Sequence, residues 1–295
     1  MGKYIDPFTD VGFKIIFGKE NKSNEILRSF LNDLFYDQSD FDPIVSLRYL
    51  NNERSRERLD DRSVIYDILC ETESGHRFIV EMQRQAKPNF FGRAVYYVSR
   101  AIYEQGLKGI SKENDDWDYD VIPVVGVFFC NFYVKGLEHR LVQHLRLCDT
   151  STNKPVGDLM RYAFIQLPAF NKKEEDCESE FDKWIYILKN MSTMQTIPFT
   201  SHRDVFDRLA KIGNVASLSA EERAQYDYDI KKARDYKAEM KQARIEGRAE
   251  GRAEGRAEGR AETMLQVAGS MKNSGMDIAA IATITGLTQT QIESL

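Results

Sequence analysis

Two acids interrupt the apolar runs of SVIYDILCETESGHRFIVEMQRQ, residues 63–85. Asp67 sits in VIYDILC and Glu81 in FIVEMQ, with Gln83 two residues further on. β-branched runs around a short polar segment read as a β-hairpin. Strand side chains alternate, so Ile65, Asp67 and Leu69 share one face, as do Ile79, Glu81 and Gln83. Register decides whether the acids meet. A three-residue loop, Glu73-Ser74-Gly75, places Gly75 at the left-handed position such loops need. Thr72 then pairs with His76, and Asp67 falls opposite Glu81 with Cβ atoms ~5 Å apart. A two-residue Ser74-Gly75 loop would oppose Asp67 to Met82 and send the acids to different faces. The glycine favours the first arrangement.

Facing carboxylates repel. Protonation of one acid, a basic partner, or a divalent cation between them would each resolve the conflict. Mg²⁺ takes oxygen ligands, often one or two carboxylates completed by water and substrate phosphate. A cation would also let an acidic chain hold a phosphodiester. The plainer alternative is a surface hairpin with two hydrated acids.

The elements that must carry this hairpin are legible around it. DVGFKIIFG and NKSNEILRSFLNDLF have apolar residues at helical spacing, and Ser23 or Asn24 is placed to cap the second helix. VSLRYL predicts a strand. Residues 89–107, which open with NFFG and continue as RAVYYVSRAIYEQGL, predict a long amphipathic helix with Ala94, Tyr97, Val98, Ala101 and Ile102 on its inner side. VIPVVGVFFCNF suits a fully buried strand, and RYAFIQLPAF a further strand ended by Pro168. The order helix, helix, three strands, helix, two strands predicts an α/β (α+β) layer, with helices on a mixed sheet.

From about residue 178 the pattern turns helical, and Ser219 with Glu222 forms a capping box. An EGRA repeat then fills residues 246–262. On a helix its Glu and its Arg form separate like-charge stripes, and Glu and Arg two apart do not meet. Its four glycines each cost about 1 kcal/mol of helix stability. The repeat is therefore a poor lone helix. It is either a solvated spacer or a segment that pairs with a second copy, Arg stripe against Glu stripe, giving a homo-oligomer through the helical tail. Residues 219–262 hold eleven acids and eleven bases, so this arm is no nucleic-acid grip. MDIAAIATITGLTQTQIESL predicts helix, Gly286 turn, helix, with Ile278, Ile281 and Ile284 before the turn and Leu287, Ile292 and Leu295 after it as the apolar positions. It resembles a minimal helix-turn-helix. Its second helix offers Gln289 and Gln291 but no Lys or Arg, which favours a packing or oligomerisation cap over DNA reading.

The bulk numbers fit a core of this size. Of 295 residues, 42% are hydrophobic, enough for a globular chain. A net charge of −5 exerts no global pull on nucleic acid. Four cysteines without a C-x-x-C pair argue for reduced, buried thiols. The start lacks the apolar region of a signal peptide, and no run reaches the ~20 residues needed to span a bilayer, so a cytoplasmic chain is expected.

A strand Asp, a hairpin and then Glu-x-Lys on the next strand is the PD-(D/E)xK nuclease signature. Here it reads YD at Asp67 and VEMQ at Glu81, with Gln83 where most members have Lys. Together with TDVGFKIIFG, SFLNDLF and, after Gly92, RAVYYVSRAIYEQGLKG, over about residues 4–190, this resembles the Rpn family, the recombination-promoting nucleases or putative transposases of bacteria. The resemblance implies a restriction-endonuclease-like core in residues 1–200, a helical arm in 201–262 and a small C-terminal segment in 263–295. It implies a DNA endonuclease, tied to recombination or mobile elements, hydrolysing phosphodiesters with Mg²⁺ (or Mn²⁺ or Ca²⁺) and metal-activated water. Asp67, Glu81 and the backbone carbonyl of Met82 become metal ligands, and Gln83 takes the lysine's place. Asp10 and Lys14 either approach the site from the first helix or serve capping and packing. Arg93 is a phosphate contact or a solvated side chain. Tyr96 and Tyr97 read as packing. His76, His139, His144 and His202 show no ligand spacing. The alternative is a weak or non-cutting member that binds nucleic acid or protein and acts through its tail.

Overall fold

The computed structural model describes residues 2–50, 65–110, 121–201 and 203–295, the last four of the second span by backbone alone. Thr9 opens helix α1 (Asp10–Phe17), its side chain accepting from the Gly12 N–H. Helix α2 (Glu20–Leu34) follows almost at once, with Lys19 as N-cap. Ser23 and Asn24 therefore lie inside α2 and do not cap it. Ser23 Oγ instead donates to the Ile15 carbonyl, one of the last-turn acceptors of α1 that has no helical partner, and Asn24 donates to the Leu47 carbonyl.

Strands β1 (Leu47–Tyr49), β2 (Ile68–Thr72) and β3 (Arg77–Gln83) precede helix α3 (Phe90–Ile110), and strands β4 (Val124–Cys130), β5 (Val142–Arg146) and β6 (Met160–Gln166) follow it. They form one six-stranded sheet in the order β1-β2-β3-β4-β6-β5. β3, β4 and β6 run parallel, while β1, β2 and β5 are antiparallel to their neighbours. α3 supplies the crossover that the parallel β3–β4 pair requires. This is the mixed sheet flanked by helices expected of the core. β5 is an addition to the expected order. VQHLR is a half-exposed edge strand and lacks the apolar run that marks its buried neighbours.

Alternation along β3 sorts the two faces. Phe78, Val80 and Met82 join a large core with Phe13, Phe17, Phe30, Phe129 and Trp184, which holds α1, α2 and helix α4 (Glu180–Asn190). Ile79 joins a smaller core with Ala94, Val98 and Phe128, which holds α3. Cys70, Cys130 and Cys177 are buried thiols, but Cys148 is exposed, contrary to expectation.

The chain divides into two compact units, Met1–Ile230 and Lys231–Leu295. The first includes helix α5 (Asp204–Ile212) and the opening turns of helix α6 (Ala220–Asn273). There Tyr226 is buried, its hydroxyl accepts from the Asp6 N–H at 2.8 Å, and Asp229 accepts from the Val11 N–H at 3.0 Å. Residues 201–230, which sequence assigned to the arm, thus belong to this unit. The Ser219–Glu222 capping box is present, with reciprocal bonds of 3.1 and 2.8 Å.

In the second unit the EGRA stretch is helix throughout and exposed on every side. The expected poor helix forms here because turns on either side of the repeat are anchored, and extension from a formed nucleus adds a hydrogen bond per residue. Helices α7 (Ile278–Thr285) and α8 (Gln289–Glu293) are joined through Gly286 at φ 72°, and their Ile281 and Ile292 close on Ala268 of α6. The motif is therefore three-helical. Ile284 and Leu295 are exposed and do not join its core.

Gly126 sets how closely α3 lies on the sheet. A Cβ there would come within 2.8 Å of Val98 Cγ2 on α3 and 2.5 Å of the Phe128 ring. Gly126→Ala is expected to cost about 1–3 kcal/mol through overpacking. Urea unfolding of the full chain measures this, and an unchanged midpoint would show that α3 has room to spare.

Candidate active site

The β2–β3 hairpin turns through residues 73–75, with Gly75 at φ 86°. The Thr72 N–H donates to the His76 carbonyl at 2.8 Å, and the Gly75 N–H to the Thr72 carbonyl at 3.0 Å. Glu71 then pairs with Arg77, Cys70 with Phe78, and Ile68 with Val80. Of the two registers open to the sequence, this is the one that brings Asp67 to Glu81.

At that level side chains take over from the ladder. The Asp67 N–H donates to Glu81 Oε1 at 3.0 Å, and the Met82 N–H donates to Asp67 Oδ2 at 2.9 Å. Each carboxylate is thus fixed through one oxygen. Asp67 Oδ1 and Glu81 Oε2 take no hydrogen bond among the described residues. Glu81 is only 2% exposed and Asp67 is half-buried. Burial, and then the charge of Asp67, push the Glu81 carboxyl up to about 8. Burial also raises Asp67, against the pull of the Met82 N–H. Arg93 on α3 and Lys14 on α1 favour the ionised form of both acids, while Asp10 opposes ionisation of Asp67. The charged residues singled out in the sequence therefore lie within electrostatic reach of one another, although α1 and α3 pack on opposite faces of the sheet.

Met82 belongs to the alternate residues of β3 whose backbone groups face β2, so its carbonyl shares the side on which its N–H meets Asp67. Gln83 is half-buried. Its carbonyl accepts from the Asn131 N–H at 3.0 Å, and its amide makes no hydrogen bond among the described residues. The site lies at the C-terminal end of β3, the end at which open α/β sheets bind ligands.

The donor set suits a hard divalent ion: two fixed carboxylates, each with an open oxygen, and a backbone carbonyl beside them. Among the described residues no three His, Cys, Asp or Glu side chains converge as a metal-binding group. An ion held here would complete its shell with water or substrate oxygen. His76 instead faces Asp158 at 3.9 Å and His139 stacks on Tyr133. His144 is held below the usual range, first by burial and then by Arg161. His202 lies outside the described residues.

Two neighbours escaped the sequence reading. Tyr97, assigned there to packing, accepts from Arg93 Nε and Nη2 at 2.9 and 2.5 Å. Their spacing, one helical turn apart, was the available signal. Arg84, next to Gln83, lies 3.3 Å from Asp6 and ties the end of β3 to the loop before α1.

A carboxyl whose folded-state pKa is raised binds its proton more tightly in the native state, so stability falls as pH rises. For Glu81 the window runs from the ordinary 4.5 to about 8. Glu81→Gln keeps an acceptor for the Asp67 N–H and removes the charge. Metal-free Glu81→Gln protein is therefore expected to melt higher than wild type at pH 9 and alike at pH 4.5. Identical melting at pH 9 would mean that Glu81 carries no buried charge.

The family model described as PD-(D/E)XK nuclease family transposase matches residues 7–243. No curated protein and no solved structure matches the chain. Among the described residues no helix is long and apolar enough to cross a membrane. The match takes in the whole sheet and both helices whose charges act on the carboxylate pair, and the chain belongs to the PD-(D/E)XK nuclease family of transposases.

Proposed function

We propose that the chain is a metal-dependent DNA endonuclease of the cytoplasm, acting in recombination or on mobile elements. The observation that carries this reading is the pairing of half-buried Asp67 with buried Glu81, each acid fixed by a backbone N–H and each with an oxygen left open. Asp67, Glu81 and the Met82 carbonyl would hold Mg²⁺, with Mn²⁺ or Ca²⁺ as substitutes. Such an ion, when bound, acidifies water and offsets the charge that builds up on phosphate.

The chain's own groups do the rest. The amide of Gln83 orients the attacking water but brings no charge. Arg93 and Lys14 face the phosphate oxygens, and Asp10 tempers the local positive field. The water oxygen bonds to phosphorus as the bond to the leaving sugar oxygen breaks, with no covalent enzyme intermediate. The exposed EGRA helix, with its Glu and Arg stripes, pairs with a second copy and makes the chain a homo-oligomer. The uncharged amide of Gln83 supports a second reading, a non-cutting member that binds nucleic acid or protein and acts through its tail.

Plasmid cleavage decides between them. With Mg²⁺ or Mn²⁺ the wild type is expected to nick or linearise supercoiled DNA. Asp67→Asn and Glu81→Gln should each lose about 100-fold or more, the scale of losing a preorganised charge-stabilising group. Equal cleavage by wild type and both variants would overturn the site assignment.

A further inference from the structure

We propose that Tyr97 is a positioning residue that holds the Arg93 guanidinium at the carboxylate pair, where it supplies the positive charge that a lysine at position 83 would have brought. The proposal rests on the endonuclease reading above.

Arg93 and Tyr97 stand one turn apart on α3 and share a face. Two donors of Arg93, Nε and Nη2, converge on the Tyr97 hydroxyl oxygen at 2.9 and 2.5 Å. The guanidinium carbon lies 4.9 Å from the Tyr97 ring centroid, so the ring as well as the hydroxyl constrains it. Tyr97 is itself braced. Tyr66 meets its ring edge-on, centroids 5.8 Å apart at 89°, and donates from its hydroxyl to the Tyr97 carbonyl at 3.3 Å. Tyr66 is buried and immediately precedes Asp67 in the chain. A contact path therefore runs from the Asp67 backbone through Tyr66 and Tyr97 to Arg93.

This path lies on the same face of the sheet as Glu81. Ile79, two residues before Glu81 on β3, packs with Ala94 and Val98 of α3. Residues two apart on a strand share a face, so Glu81 and Gln83 are directed toward α3 as well.

The arrangement has a chemical use. A free arginine must freeze several rotatable bonds each time it meets a phosphate. Arg93 is already frozen by Tyr97, and that ordering no longer opposes the reaction. Its other donors make no hydrogen bond among the described residues, which leaves them for the oxygens of a phosphodiester. Gln83 has no charge to offer these oxygens. The held guanidinium offers one from the neighbouring element.

The test uses the full-length chain, supercoiled plasmid and Mg²⁺. Tyr97→Phe keeps the ring and removes one oxygen, and circular dichroism and melting temperature should stay at wild-type values. We expect kcat to fall about tenfold, the scale of a hydrogen bond to a charged group, with KM for DNA within about twofold of wild type. Arg93→Ala should fall at least as far, and the double variant should fall no further than Arg93→Ala, because residues that act as a unit are not additive. A second readout needs neither metal nor DNA. The Arg93 Nε–H resonance in ¹⁵N NMR should be protected from solvent exchange in wild type and lose that protection in Tyr97→Phe. Wild-type cleavage by Tyr97→Phe, or independent losses that multiply in the double variant, would overturn the proposal. If Tyr97→Phe cuts normally while Asp67→Asn is inert, the endonuclease reading survives and only the role of Tyr97 falls. If Asp67→Asn cuts at the wild-type rate, the endonuclease reading falls, and this proposal with it.

Discussion

The candidate site depends on one pair of reciprocal hydrogen bonds, Asp67 N–H to the Glu81 carboxylate and Met82 N–H to the Asp67 carboxylate. They exist only in one hairpin register. Gly75, at φ 86°, allows the three-residue turn that sets it, and a slip of one residue would carry every side chain of β2 to the opposite face. The pair works against folding, because burial and mutual repulsion disfavour its charge. The surrounding core holds the register in place. β3 is the third strand of six, and on one of its faces Phe13, Phe17 and Phe30 gather around Phe129. A slip would pull Ile68 and Cys70 of β2 out of that core, so apolar burial enforces the meeting of two acids that would otherwise separate.

The same register explains why both faces of the sheet serve one site. Glu81 is directed to the α3 side with Arg93, while α1, with Lys14 and Asp10, is seated on the other core. α1 is in turn held by the root of α6. Asp229 accepts from the Val11 N–H, Tyr226 from the Asp6 N–H, and Glu222 pairs with Lys19. The first turns of the long helix are thereby part of the scaffold that places Lys14. This accounts for a compact unit that continues to Ile230.

Much of this was legible in the sequence where a local rule was decisive. The turn glycine and the alternation of FIVEMQ gave the register, the unbroken VVGVFFC run gave a buried strand, and Ser219 with Glu222 gave the start of α6. What stayed hidden depended on tertiary partners. VQHLR carries too few apolar residues to announce an edge strand. Ser23 looks like a cap until the Ile15 carbonyl is seen to need its hydroxyl. The EGRA repeat reads as a weak helix because sequence shows its glycines but not the anchored turns on either side. Tyr97 lies among apolar residues at core spacing, and only the structure shows its hydroxyl turned to Arg93.

Gln83 sets the charge balance of the site. A lysine at this half-buried position would add a desolvated cation beside two desolvated anions, and each would hold the others in the charged form. With an amide there, the cations Arg93 and Lys14 act from elements outside the hairpin. Lys14 is exposed and therefore well hydrated, which weakens its pull on the acids, while the half-buried Arg93 is the less hydrated of the two. Burial and then the charge of Asp67 keep the Glu81 carboxyl high, at about 8, against the pull of both cations. In the proposed endonuclease the protein alone therefore leaves its central acid short of positive charge. A divalent cation held by Asp67 and Glu81 would make up that deficit, its charge adding to those of Arg93 and Lys14.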